Sequence, residues 1–337
     1  MRIGICAIAR DEDRLIAEWV GYYLLIGATH IHIVDDNSVI PVTTSLSALL
    51  AKYPSQITVE RLNHDFHNPA SFKQSPLYDS KLAAKEPNMQ LYMYHRMWKR
   101  YRHFDWIGFL DIDEFVWLAR FTSLRHMLHK YRSYSQVLLR WVFYGHNYHM
   151  HHPNGLCISN FTSHTGKLDQ RMKAFVRPSH ARRVKNHNSV LRPGCQTFIV
   201  PRKRNVDAVP HIKHYRTQAV VTTLQRRFFR LRPSKIIKQG VWTIDKVREI
   251  FTGILIDPEF LKVHSVAIHQ RYGRRLADML GVKYREKLRN RIKHRYIFNP
   301  IHVAQLNAGV KGKKTLTSAL LRYISNPKKH VLQFARL

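Results

Sequence analysis

The stretch Trp106-Ile107-Gly108-Phe109-Leu110 carries no polar side chain except the indole N–H and runs straight into Asp111-Ile112-Asp113-Glu114. A short apolar run ending in charge is the pattern of a strand covered on both faces, as in a parallel sheet. Side chains i and i+2 of an extended segment leave the same face, so Asp111 and Asp113 are expected to point to one spot. That spot lies beyond the carboxyl end of a strand, where open α/β sheets collect their ligands. Two like charges so close need a cation between them, or a proton on one of them. A hard divalent ion, Mn²⁺ or Mg²⁺, that also holds a substrate's phosphates meets that need with oxygen ligands. For Asp-x-Asp alone, a solvated turn or a helix cap is the plainer alternative.

The flanking pattern fits the sheet. Residues 3–9 read as a buried strand, and 15–27 place Ile16, Trp19, Val20, Tyr23 and Leu24 at helical spacing before Gly27 stops the helix. A β-branched run follows and ends in Asp35-Asp36-Asn37-Ser38; residues 46–52 read as helix and 56–62 as strand. This alternation predicts right-handed crossovers and a mostly parallel sheet with helices on both faces, an α/β architecture. Residues 63–85 read as a polar loop, 87–101 as a helix, and 136–142 and 197–200 as further strands. From 222 onward the pattern turns basic and helical, broken by Pro233, Pro258 and Pro300, so we place a body at 1–220 and a basic extension at 221–337.

Charge separates the two parts. The 337 residues hold 56 Lys plus Arg against 22 Asp plus Glu, a net +34. Residues 1–60 have four basic and seven acidic side chains (−3), whereas 271–337 have seventeen basic against Asp278 and Glu286 (+15). No apolar run reaches the roughly 20 residues that cross a bilayer, and the amino terminus meets acids within its first turns, unlike a secretory leader. Cys6, Cys157 and Cys195 are too scattered for a disulfide framework or a zinc knuckle. A protein of the cytoplasm, peripheral on the inner membrane face, is the expectation.

Four separated blocks resemble glycosyltransferases of the GT-A fold, specifically the family-2-like group close to glycosyltransferase family 92. The first is Arg10-Asp11-Glu12, Glu18-Trp19, Gly27 and Asp35-Asp36-Asn37-Ser38; the second and most specific is Trp106 through Phe115. The third is Trp141-x-x-Tyr144-Gly145-x-x-x-His149, followed by Lys173-Ala-Phe-Val-Arg-Pro178; the last is His214-Tyr215-Arg216-Thr217. The resemblance covers residues 1 to about 220 and departs from the family pattern at Arg10-Asp11, His146-Asn147-Tyr148 and Ser159-Asn160-Phe161.

The resemblance implies transfer of a sugar from a nucleotide-diphosphate donor, UDP by preference, to a hydroxyl of a glycan or lipid-linked saccharide, with inversion and with Mn²⁺ or Mg²⁺. By position it makes Asp111, Asp113 and His214 the metal ligands. Arg10, Asp35, Asp36 and Asn37 would surround the nucleoside, with Gln90 and Tyr94, one helical turn apart, facing the same pocket. Lys173, ahead of Arg177, would meet the diphosphate. An inverting transfer needs a general base; Asp169 is the only acid between Glu114 and Asp207, with His149 as the second candidate.

The basic extension alternates Lys and Arg with Phe, Tyr and Ile at 222–238 and 283–295. An anionic membrane surface is the partner that suits a lipid-linked acceptor; phosphorylated saccharide, nucleic acid or plain solvent are the alternatives. A nucleic-acid-binding protein or a nuclease using the Asp-x-Asp pair is the rival reading from charge. It lacks any nucleic-acid motif, and the acid-rich strand ends would repel a phosphodiester backbone. A catalytically dead scaffold and a nucleotidyltransferase also remain open at this point.

Overall fold

The computed structural model describes residues 1–219 and 263–284, apart from 65, 67, 87, 148, 150 and 151. The chain opens as expected: β1 (Ile3–Ala9), a helix at Ile16–Leu25, β2 (His30–Asp35) and β3 (Ile57–Arg61). β1 and β2 pair in parallel, as do β2 and β3, and β4 (Trp106–Phe109) lies parallel on the other side of β1. Alternate strand residues serve two cores. Ile3, Ile5 and Ala7 pack with Trp19, Val20 and Tyr23 of the first helix. Cys6, Val34 and Ile107 pack with Met93 and Met97 of the Met89–Arg100 helix. The sheet is therefore covered on both faces, and each large apolar side chain buried there contributes roughly 1.5–3 kcal/mol.

The 46–52 helix stands as Ser47–Lys52, preceded by a short helix at Val42–Ser45, while the 63–85 loop contains the helices Pro69–Phe72 and Ser80–Lys85. The latter begins where the Asp79 carboxylate accepts the Leu82 N–H at 3.0 Å, an ordinary helix cap.

Beyond β4 the sheet continues through β8 (Met172–Val176), β6 (Gln136–Phe143), β12 (His211–His214) and β5 (Glu114–Trp117), with β11 (Thr197–Ile199) beside the start of β6, while β7 (Ser163–His164), β9 (Ala181–Val184) and β10 (Ser189–Leu191) lie in two-stranded pairings outside it. β8 runs antiparallel to both β4 and β6, while β12 is parallel to β6 and antiparallel to β5. Gly108 lets β4 and β8 close up, since a Cβ there would stand 2.9 Å from the Phe175 ring.

The order forces a curl. β4 and β5 are joined by the four residues 110–113, yet β8, β6 and β12 lie between them in the sheet. In a flat sheet those four steps would span about 19 Å, whereas the five residue steps from Phe109 to Glu114 reach at most about 17–18 Å. They are not even extended, because the Glu114 N–H turns back to the Asp111 carbonyl at 3.0 Å. The sheet bends around this turn, and the strands in the bend present side chains toward it.

The helix Ala267–Leu280 packs on the first helix: Tyr272 lies edge-on to Tyr22 at 5.4 Å, and Leu276 fits over Gly21, where a Cβ would come within 3.0 Å. This piece of the basic region is thus built into the body's core. The stretches 222–238 and 285–295, and Pro233, Pro258 and Pro300, lie outside the described residues. Among the described residues no helix is long and apolar enough to cross a membrane.

Candidate active site

The Asp111–Glu114 turn is held by its own side chain and by the first helix. Glu114 Oε2 accepts the Asp111 N–H at 2.9 Å. Its carbonyl accepts both the Trp19 indole N–H at 3.0 Å and the Tyr23 hydroxyl at 2.9 Å. The Tyr22 hydroxyl donates to the Val116 carbonyl at 2.6 Å. The Glu18-Trp19 block is therefore structural at both residues. The Glu18 carboxylate accepts the Cys157 and Ile158 N–H groups at 2.6 and 3.0 Å, at the start of the Cys157–Asn160 helix. Burial pushes the Glu18 pKa up to about 7, against the pull of these two backbone donors.

Three side chains converge on the Asp111 carboxylate. Lys173 Nζ, delivered from β8, donates to Oδ2 at 2.9 Å, while Gln90 Nε2 and the Tyr94 hydroxyl donate to Oδ1 at 3.3 and 3.4 Å. Gln90 also donates to Tyr94 at 3.0 Å, so the pair expected to share a pocket does meet at the carboxylate. Lys173 Nζ lies 3.4 Å from Glu114 Oε2 as well. Burial alone would lower the Lys173 pKa, but Glu114, Tyr94 and Asp111 together outweigh it and hold it above the ordinary value. Glu114 is fully buried, and burial, with Asp111 adding repulsion, pushes its carboxyl up to about 8 against the attraction of Lys173. Burial, then Asp111, also raise the Tyr94 phenol.

Asp113 belongs to a second group. His214, at the end of β12, places Nε2 3.4 Å from Asp113 Oδ1, and the Tyr215 N–H donates to the Asp113 carbonyl at 2.8 Å. The imidazole sits between Trp141 and Phe143, with ring centroids at 4.5 and 5.2 Å. Burial works against its protonation, but the Asp113 charge and hydrogen bond prevail and raise the His214 pKa.

The expected metal trio is only partly assembled: Asp113 and His214 are adjacent, and Asp111 is drawn to Lys173. Among the described residues no three acidic, His or Cys groups stand as a ready-made metal cluster.

The residues expected around the nucleoside divide by role. Asp35 is buried, and its carboxylate is spent on the chain itself: it accepts from Ser38 N at 2.9 Å, Val42 N at 3.1 Å and Arg61 Nη1 at 2.9 Å. Arg10 and Asp36 pair at 3.5 Å near the ends of β1 and β2. Asn37 is exposed and takes a left-handed φ of 53°.

Asp169 accepts from the Arg171 N–H and Nε, both at 2.8 Å; burial, the largest single effect, would raise its pKa, but these bonds and the Arg171 charge together outweigh it and hold the pKa below the ordinary carboxylate value. The Arg171 guanidinium lies over the rings of Phe143 and Trp141 at 4.8 and 5.4 Å, the two rings that flank His214. Asp169 thus stands one side chain removed from the Asp113–His214 pair. His149 Nε2 lies 3.2 Å from the Asn160 carbonyl and its ring meets Phe161 edge-on. Arg177 donates to the Tyr134 and Arg132 carbonyls, which leaves Lys173 as the lysine or arginine at Asp111.

Sequence reasoning passed over Glu114 and Arg171 as participants. For Glu114 a signal existed, its place three residues after Asp111, where a turn folds it back. For Arg171 there was none.

Residues 3–251 match glycosyltransferase family 92. No curated protein sequence matches the chain significantly. Among solved structures, residues 1–349 of S. aureus TarS in complex with UDP align at 12% identity and a TM-score of 0.24, over 42% of this chain and 36% of that one. Glucosyl-3-phosphoglycerate synthase from Mycobacterium tuberculosis, in complex with Mn²⁺, UDP-glucose and phosphoglyceric acid, aligns at 13% identity and 0.23, over 42% and 43%. A further structure of TarS 1–349 aligns at 10% identity and 0.30, over 85% of this chain and 93% of that one. The chain thus spans only about a third of the first of these relatives.

Proposed function

Because the chain belongs to glycosyltransferase family 92, we propose that this glycosyltransferase moves a sugar from a UDP donor to a hydroxyl of a glycan or lipid-linked saccharide, with a divalent cation and with inversion at the anomeric carbon. The observation that carries the reading is the meeting of Asp111, Asp113 and Glu114 with Lys173 and His214 inside the bend of the sheet.

The residues present suit Mn²⁺ or Mg²⁺. Carboxylate oxygens and one imidazole are an acceptable donor set for such ions. Asp113 Oδ1 and His214 Nε2 are 3.4 Å apart, near the ~3.0 Å between neighbouring ligands of an octahedral ion with 2.1 Å bonds. Asp113 and His214 would hold the cation, with Asp111 joining from the Lys173 side. When bound, it neutralises charge on the leaving diphosphate.

The chain's own residues do the rest. Lys173 supplies a fixed positive charge in a site where solvent screening is weak, which favours an anionic leaving group. Gln90 and Tyr94 hold Asp111 in one orientation, and the first helix fixes the backbone beneath it. The acceptor oxygen forms its bond to the anomeric carbon as the bond from that carbon to the diphosphate oxygen breaks. Asp169, ionised through the neutral range, takes the acceptor's proton, and the electron pair leaves with UDP. Arg10, Asp36 and Asn37 meet the nucleoside; Asp35 shapes the turn that presents them. The basic stretches are proposed to rest on an anionic membrane surface on the cytoplasmic side.

Calorimetric titration with UDP, GDP and CMP, with and without Mn²⁺, on wild type and Asp113→Ala tests the reading. Mn²⁺-dependent UDP binding that is lost in the variant is the expected result; no nucleotide binding by a folded sample overturns it.

A further inference from the structure

A cleft of about 520 Å³ opens at the opposite end of β6 from the turn, between the Leu124–Lys130 helix and β11. Its wall is aromatic. Tyr131 stacks on Phe198 at 4.5 Å and 23°, and Tyr134 leans on the same ring at 5.0 Å. Arg120, Lys130 and Lys203 stand exposed around it, and no acidic residue lines it. None of the three cations makes an ion pair with a described residue.

Unpaired cations are ordinary in a chain of net charge +34; these three are set apart by standing around a concave aromatic wall. A charged rim favours an anion, and a volume within the small-ligand range favours a compact body seated on the rings. The packed rings offer an open face rather than a slot; a nucleobase stacks on such a face as the C–H face of a pyranose does, and the RNA arm of the test below separates the two.

The cleft also connects with the active site. Ile199 of β11 pairs with Leu138 of β6, and from Leu138 to Phe143, beside His214, is about 17 Å along the strand. Next to Lys203, Arg202 lies near enough to Arg140 to lower its pKa, after the larger effect of burial. Arg140 Nη1 donates to the Asp169 carbonyl at 3.3 Å, and Asp169 pairs with Arg171. A line of positive groups thus runs from the cleft to the side of the site where the acceptor is placed.

We propose that the Tyr131–Tyr134–Phe198 cleft, with Arg120, Lys130 and Lys203, is an accessory subsite for an acidic saccharide, carboxylated or phosphorylated, that forms the remote part of the acceptor. The assignment of this saccharide to the acceptor rests on the glycosyltransferase reading above; the binding chemistry of the cleft does not.

Calorimetric titration of the full chain with trigalacturonate, phosphorylated maltotriose, neutral maltotriose and a six-nucleotide single-stranded RNA provides the test, on wild type and on Lys130→Glu/Lys203→Glu. Both substituted side chains are exposed, and circular dichroism checks the fold. At least one acidic saccharide should bind at least tenfold more tightly than maltotriose, and the double variant should lose at least tenfold of that affinity while UDP binding stays unchanged. The arm that binds identifies carboxylate or phosphate. Equal binding of neutral and acidic sugars, undiminished binding by the double variant, or RNA binding more tightly than either acidic saccharide in a manner abolished by the variant overturns the proposal. UDP binding without acidic-saccharide binding removes the subsite alone; the converse removes the donor reading and leaves the cleft.

Discussion

Replacing Glu114 with glutamine isolates the titration of one buried carboxyl. Glu114 Oε2 accepts the Asp111 N–H at 2.9 Å and lies 3.4 Å from Lys173 Nζ, while Oε1 is buried without a hydrogen-bond partner. An amide with its oxygen at the Oε2 position keeps the first two contacts and matches the shape of the neutral acid. In the wild type the carboxyl rises from its ordinary 4.5 to about 8 on folding, chiefly through burial. The folded chain therefore holds a proton that the unfolded chain releases between those values. Stability from that proton is complete below about pH 4.5 and is lost as pH climbs toward 8, at up to about 1.4 kcal/mol per pH unit. From pH 5 to 8 the wild type should lose on the order of 4 kcal/mol relative to Glu114→Gln, since other groups titrate alike in both and cancel. Urea unfolding followed by far-ultraviolet circular dichroism at pH 5, 6, 7 and 8 measures this. With a urea dependence of about 3 kcal/mol per molar, the difference in midpoint should change by about 1 M. A difference that stays flat across that range would show the carboxyl ionised in the fold and refute the argument from burial.

Three further outcomes follow from the same geometry. Because the His214 pKa is raised by Asp113 despite burial, a proton competes with the cation: Mn²⁺ affinity should fall roughly tenfold per pH unit below that raised value, and His214→Ala should flatten the dependence in titrations between pH 6 and 8. Glu18→Ala leaves the buried Cys157 and Ile158 N–H groups without their acceptor, about 1–3 kcal/mol each, so thermal melts at pH 8 should show a loss of roughly 2–5 kcal/mol; Glu18→Gln should lose less. Asp169→Asn should lower kcat by about 10²–10⁴ with UDP affinity unchanged by calorimetry, and an unchanged kcat would remove Asp169 as the base.

The amino-terminal half of the fold was legible because its apolar residues follow one period at a time: β1, the first helix, β2, β3 and β4 stand where alternation and helical spacing put them. The far half was legible only in part: the strands expected at 136–142 and 197–200 stand as β6 and β11, whereas β8 and β12 were not foreseen. β12 reads His211-Ile212-Lys213-His214, one apolar residue among three polar ones, yet it is buried along its whole length. It is tolerated there because the buried Lys213 pairs with Asp207 at 3.2 Å and Ser265 donates to the same carboxylate at 2.6 Å, partners that no local pattern reveals. The site followed the same rule. Asp111 and Asp113 announced themselves by spacing, whereas the contact of Asp111 with Lys173 bridges 62 residues and was reachable only by resemblance. Asp35 looked like a ligand because acids at strand ends often are; its three chain donors show a carboxylate occupied in shaping a turn.

The late arrival of β12 orders events during synthesis. Asp111 and Asp113 have already been synthesised when the ribosome is still about a hundred residues short of His214. At elongation rates of about 5–20 residues per second, that interval lasts roughly 5–20 s. For that time the nascent chain carries Asp111, Asp113, Gln90, Tyr94 and, later, Lys173, yet it lacks the imidazole of His214 and the strand that pairs with β5. The contact of Asp113 with His214 and the pairing of β12 with β5 are thereby deferred until His214 has been made, and a ribosome that stalls earlier releases a product with both aspartates but without that partner.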